Sequence, residues 1–194
     1  PGFGTGGGAG VDLDLTEQLE IVNATATNLN NLIVIEFDFI PTSDVVTFDY
    51  VFASNEYPGY TCSQFNDIFG FFLSGPGING DFEDNAINIA LVPNPDDPDT
   101  YTNTPVIINT INSGVPSGFD SQPCDNIDPN WQDYSIFFND NNASETVSYP
   151  GFTVPLVATA NVTACLTYHI KLAIADVADG ALNSAVFLKE NSFN

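Results

Sequence analysis

Arginine and methionine are missing from this 194-residue sequence, lysine occurs only as Lys171 and Lys189, and histidine and tryptophan occur once each, as His169 and Trp131. Set against 25 Asp and Glu, that leaves a formal charge of −23 at pH 7. A chain so charged repels phosphate backbones and anionic lipid and has no basic patch with which to release counterions, so nucleic acid is excluded as a partner. Most of its carboxylates have no basic side chain to pair with and must be solvated, hydrogen-bonded or bound to metal, which makes divalent cations the natural partners. No apolar run approaches the length of a membrane-spanning helix, so no direct membrane insertion is expected. The start at Pro1 carries no signal-peptide pattern, as expected of a processed or trimmed product.

Cysteine is also sparse: Cys62, Cys124 and Cys165 show no metal-ligand spacing such as C-x-x-C. One disulfide with one thiol left over is expected, and spacing does not decide which pair forms it. Other motifs are missing as well. There is no G-x-S-x-G elbow, and without a Ser or Cys nucleophile and an acid His169 cannot serve a secreted hydrolase, so the chain is read as not an enzyme. Gly2, Gly4 and Gly7 satisfy G-x-G-x-x-G formally, but no strand precedes them and no βαβ unit follows.

What is abundant is aromatic and strand-forming. Sixteen Phe and seven Tyr sit in short runs of period two separated by Gly, Pro, Asn and Asp clusters. In NLIVIEFDF, Ile33, Ile35, Phe37 and Phe39 share one face; in VVTFDYVFA, Val46, Phe48, Tyr50 and Phe52 do the same. Further strands are expected at Ile68–Ser74, Ala86–Val92, Thr104–Asn109, Tyr134–Phe138, Thr146–Tyr149, Phe152–Ala158, Leu166–Ala175 and Ser184–Glu190. About ten strands of this kind predict an all-β fold, a two-sheet antiparallel β-sandwich of jelly-roll type. At most one short helix is expected, at Asp14–Val22, with Asp14 and Glu17 as its capping box. Residues 1–13 read as a flexible Gly-rich lead and 14–194 as a single domain. Pro93–Tyr101 and Ser113–Asp133 read as long polar loops.

Two clusters collect hard oxygen ligands at strand ends, the manner in which a sandwich without an EF-hand loop holds calcium. The first is Glu56, Asn66 and Asp67, in SNEYPGYTCSQFNDIFGFF; the second is Asp176, Asp179 and Asn183, in IADVADGALNSAVFL. Asp67 directly precedes the apolar IFGFF, where a carboxylate needs a partner that the basic residues scarcely supply. The competing reading makes these residues ordinary turn and cap positions. Weaker calcium candidates are Asp96, Asp97 and Asp99, and Asp125, Asp128 and Asp133. An aromatic platform for a glycan would draw on Trp131, Tyr57, Tyr60 and Tyr101.

The run FDYVFASNEYPGYTCSQFNDIFGFFLSGPGI, Phe48 to Ile78, closely resembles the choice-of-anchor L domain of secreted Bacteroidetes-type surface proteins. The resemblance continues in order through NIALVP, INTIN, YPGFTVPL and CLTYHIKLAIADVADGALNSAVFL, the last spanning Cys165 to Leu188. It implies a secreted, extracellular or cell-surface location and a structural or adhesive role, and brings no catalytic residues. The expected function is a non-catalytic surface module stabilised by calcium. Its partner is a glycan, a cell-surface protein, or copies of itself in an extracellular fibre built by lending an edge strand. A carbohydrate-binding module is the alternative.

Overall fold

Strand Ile68–Ser74 is buried at every position, which tells at once that both of its faces are covered. In the computed structural model, which describes residues 9–118, 120–143 and 145–193, that strand lies inside one of two antiparallel sheets. In chain order the elements are β1 (Ala9–Gly10), α1 (Leu13–Ile21), β2 (Leu29–Phe39), β3 (Val45–Ser54), β4 (Ile68–Ser74), β5 (Ile87–Asn88), β6 (Leu91–Asn94) and β7 (Asp97–Pro105). They continue with α2 (Gln122–Asp125), β8 (Phe138–Asp140), β9 (Gly151–Thr153), β10 (Leu156–Asn161), β11 (Tyr168–Val177) and β12 (Ser184–Leu188). The first sheet has the order β1-β2-β11-β4-β5. In the second, β3 pairs on one side with β9 and β10, β9 continuing to β8, and on the other with β12. The result is the two-sheet sandwich expected from the alternating pattern, with β6 and β7 added as a separate hairpin.

Alternation explains the layers. Val46, Phe48, Tyr50 and Phe52 of β3 meet Phe69, Phe71 and Leu73 of β4 in the main core, with Tyr50 edge-on to Phe71 at 5.0 Å between centroids. Ile68 and Phe72, on the opposite face of β4, join Leu15 and Leu19 of α1 in a second core. Gly70 lies between them because an added Cβ would stand 2.4 Å from the Phe72 ring.

The helix begins earlier than expected. Asp12, not Asp14, is the N-cap, and its carboxylate accepts from Leu15 N at 2.9 Å. Asp14 is drawn away to Lys171 and to the amide of Glu83, which donates to it at 2.7 Å. Gln18 ties the helix down by donating to Phe69 O and accepting from Asn88. Of the lead at 1–13, Ala9 and Gly10 pair with β2; residues 1–8, with the glycine pattern at Gly2, Gly4 and Gly7, lie outside the described residues.

Several expected strands take other forms. Tyr134–Phe138 falls mostly in a 3₁₀ turn, Trp131–Phe137, which buries Trp131, Tyr134 and Phe137 at a spacing of three rather than two. Thr146–Tyr149 is not in a strand, and Phe152–Ala158 is divided between β9 and β10 at Pro155, which has no amide to give to a ladder. Pro93–Tyr101, expected as a loop, supplies most of the β6–β7 hairpin, whereas Val106–Asn109, expected to extend a strand, forms a buried turn. The disulfide joins Cys62 to Cys124, tying the β3–β4 loop to α2, and Cys165 is an exposed free thiol.

Candidate functional site

Four strands meet at one end of the sandwich, where β3 and β11 finish and β4 and β12 begin. The pairing puts Ser54 opposite Ser184 and Ile68 opposite Ala175, so the residues just beyond these pairs converge. They are Glu56 after β3, Asp67 before β4, Asp176 in the last turn of pairing of β11, and Asp179 in the connection to β12. Glu56 is 3 % exposed, Asp67 0 % and Asp176 5 %. The structure thus merges the two clusters read separately from the sequence.

Their partners are neutral. Asp67 accepts from Ser184 Oγ at 2.6 Å and from Val177 N at 3.1 Å. Asp176 accepts from Asn31 Nδ2 at 2.6 Å. Asn31 reaches it from a β-bulge: the register between β2 and β11 shifts between Ile174 and Asp176, and Asn31 takes φ 50° there. Glu56 Oε2 is buried and has no hydrogen-bond partner. Burial, then the charges of Asp179 and Asp176, push the Glu56 carboxyl up to about 7. Burial pushes Asp67 to about 8, with Asp176 and Glu56 adding to the rise and the Ser184 bond opposing it. Asp176 is raised chiefly by burial, against the bond from Asn31.

The other two ligand candidates take different places. Asn66, a sequence neighbour of Asp67, accepts from Asn109 N at 2.9 Å and belongs to the loop network that also holds Cys62 N on Asn109. Asn183 offers its carbonyl to Asn55 N beside the cluster. Asp179 caps its own turn by accepting from Ala181 N, as the turn reading expects, while its charge reaches Glu56 and Asp176. Asn31 and Ser184 were missed, and only the bulge and the strand register bring them here. Among the described residues no three His, Cys, Asp or Glu side chains stand arranged to hold a metal ion as they are. Of the weaker candidates, Asp125 receives the Trp131 indole N–H at 2.8 Å and Asp128 the Tyr134 hydroxyl at 2.6 Å, so both fasten the 3₁₀ turn.

Of the aromatic residues expected to form a platform, Trp131 and Tyr57 are core residues, Tyr57 donating to Ile111 O at 2.6 Å; Tyr60, 41 % exposed, lies edge-on to Phe65, and Tyr101 is half-buried on β7. His169 stands between Asp38, 2.8 Å away, and Glu36, 3.8 Å away, on the outer face of the first sheet.

Beside the carboxylates opens an apolar groove of about 470 Å³ between the sheets, lined by Ile33 and Ile35 of β2, Leu172 and Ile174 of β11, and Ser184 to Leu188 of β12. Among the described residues β2 pairs on its outer side only with Ala9 and Gly10, and β12 pairs only with β3, so two free strand edges flank the opening. Farther along the same gap Phe193 packs among Phe37, Phe39 and Phe48, its ring stacked on Phe48 at 4.3 Å. Ser184 belongs to both features: its hydroxyl bonds Asp67 and it starts the strand that walls the groove.

No helix among the described residues is long and apolar enough to cross a membrane. No curated protein and no solved structure matches the chain. A family model does, the choice-of-anchor L domain, over residues 4–194, which takes in both the carboxylate cluster and the groove. The chain therefore belongs to the choice-of-anchor L domain family, cell-surface or secreted modules that are not a known enzyme family.

Proposed function

We propose that this domain is a non-catalytic structural or adhesive module of the cell surface that joins its partner by accepting a strand along the opening between β2 and β12. One observation carries the reading: among the described residues, two strand edges without a further partner border an apolar groove whose walls, Ile33, Ile35, Leu172, Ile174 and Val186, already present the alternate side chains of strands. Such an edge is a template for another chain, main-chain bonds supplying affinity and the groove supplying selectivity for apolar side chains at every second position. Phe193, seated in the same gap from the end of the chain, illustrates the kind of side chain the space takes. A further copy of the domain in an extracellular fibre is the specific partner proposed; a cell-surface protein or glycan is the adhesive alternative. The surface charge of −23 opposes self-association until salt or divalent cations screen it.

The experiment is light scattering and electron microscopy of the full chain in calcium-containing buffer, beside Ile35→Asp and Val186→Asp variants. Growth into long particles by the wild type, abolished in both variants while their melting temperatures stay close to wild type, is the expected result. A wild type that remains monomeric overturns the fibre form, and failure to retain surface proteins or glycans in the same buffer overturns the adhesive form.

A further inference from the structure

We propose that the strand ends carrying Glu56, Asp67 and Asp176 form a binding site for one hard divalent cation, calcium foremost, with Asp179 on its outer side. Apart from Ser184, which borders both features, the inference rests on different residues from the groove reading and is tested separately from it.

Charge accounting is the first support. The sequence contains two lysines and one histidine, and each is engaged elsewhere: Lys171 with Asp12 and Asp14, Lys189 with Asp49, His169 with Asp38 and Glu36. Among the described residues, three carboxyl groups that are at least nine-tenths buried therefore gather at one end of the sandwich with neutral donors, Ser184, Val177 and Asn31, and with Asp67 and Asp176 within hydrogen-bond reach of each other. Buried charges of one sign are kept only when a counter-charge or a proton comes with them.

The second support is Glu56 itself. Its Oε2 is buried without a hydrogen-bond partner, and its carboxyl faces the charges of Asp176 and Asp179. A buried acceptor left unmatched in this way is what a cation would satisfy. The chemistry of the set is the third. All the available atoms are hard oxygens from four separate chain segments, and Ser184 Oγ can turn its lone pairs inward when it ceases to donate to Asp67. Calcium accepts six to eight such oxygens in irregular geometry, whereas magnesium demands a near-ideal octahedron. Binding requires the carboxylates to turn from their present neutral partners toward a common point, a change of side-chain torsions at strand ends already placed together.

The test is calorimetric titration of the chelator-treated full chain with calcium chloride in about 0.15 M NaCl, enough salt to suppress diffuse surface uptake. Terbium luminescence sensitised by Tyr57, which lies close enough to feel the Asp67 charge, gives a second readout. One saturable site per chain is expected, weaker for magnesium. Glu56→Gln, Asp67→Asn and Asp176→Asn should each weaken it by more than about tenfold, while Asp97→Asn, on the exposed β6–β7 hairpin, leaves it unchanged. Absence of saturable binding, uptake at many weak sites that salt removes, or equal binding by the three variants overturns the proposal. Should Asp67→Asn fail to fold, Glu56→Gln carries the test, because the oxygen it replaces has no partner to lose.

Discussion

Two groups of buried acids lie on opposite sides of β4, and the chain treats them differently. On the helix side, Asp12 and Asp14 close on Lys171, with Nζ–O distances of 3.0 and 2.5 Å, and Glu83 stands at 3.8 Å. On the sandwich side, Asp67 and Asp176 have serine, asparagine and a backbone amide, and Glu56 Oε2 has no hydrogen-bond partner. One half of the molecule neutralises its buried carboxylates internally. The other leaves them to protons or to something from solution. In a protein with only two lysines this allocation is a structural choice: Lys171 fastens α1 to β11, and no second cation remains for the strand ends.

Replacing the internal cation should give the largest effect. Lys171→Met leaves Asp12 and Asp14 buried beside one another without compensation, and removing one partner of a buried pair costs about 3–5 kcal/mol. Chemical denaturation should show a loss of that size, and α1 should detach first, read as loss of amide protection in Leu15 and Leu19. Adding Asp14→Asn to Lys171→Met should recover part of the stability. If the lysine variant is as stable as wild type, the pair does not hold the helix and the contrast between the two sides disappears.

The unneutralised side should instead reveal itself through pH. Glu56 and Asp67 hold their protons in the folded state to about 7 and about 8, far above their unfolded values. The stabilising contribution of their protonation is complete below about pH 4 and is lost as pH rises through 7 and 8. Asp176 is raised as well, Asp179 faces the same group, and no Lys or His from the packed elements offsets them. In metal-free buffer the melting temperature should therefore fall by about 5 °C or more between pH 5 and pH 8.5. Asp67→Asn should flatten that fall and melt higher than wild type at pH 8.5, while the exposed Asp99→Asn, which reduces the net charge equally, should not. Identical pH profiles for Asp67→Asn and wild type would mean the strand ends are already neutralised.

How much of this contrast is legible in the sequence depends on distance along the chain. Strands β3, β4 and β11 follow from their alternation, and the position of Asp67 directly before IFGFF signals a carboxylate forced against a core. Its neighbour Asn66 looked equally suited, but successive residues of an extended chain point to opposite sides, and Asn66 turns to Asn109. Ser184, 117 residues from Asp67, and Asn31, 145 residues from Asp176, arrive only through strand register and a bulge. Lys171 looked like a member of a polar outer face; that face is covered because α1 folds over it, a long-range contact that period two cannot encode. The groove was hidden for a related reason. The apolar face of β2 shows in the pattern, but whether the second sheet extends far enough to cover it is decided by where β12 pairs.

The remaining lysine sets the lower bound of the comparison. Lys189 also meets an aspartate, Asp49, at 2.5 Å, a distance as short as that between Lys171 and Asp14. Its side chain, however, is 70 % exposed, so water already solvates the ammonium and little desolvation accompanies the contact. Exposed pairs of this kind contribute about 0–1 kcal/mol and are screened by salt. Lys189→Ala should shift the denaturation midpoint by no more than that range and lose even this difference in high salt. The backbone bonds on either side of it, Lys189 N to Asp49 O and Ser192 N to Lys189 O, do not involve the side chain and should persist. A loss approaching that of Lys171→Met would show that burial is not what separates the two lysines, and would shift the explanation to the anchoring of the chain end, where Phe193 fills the gap between the sheets.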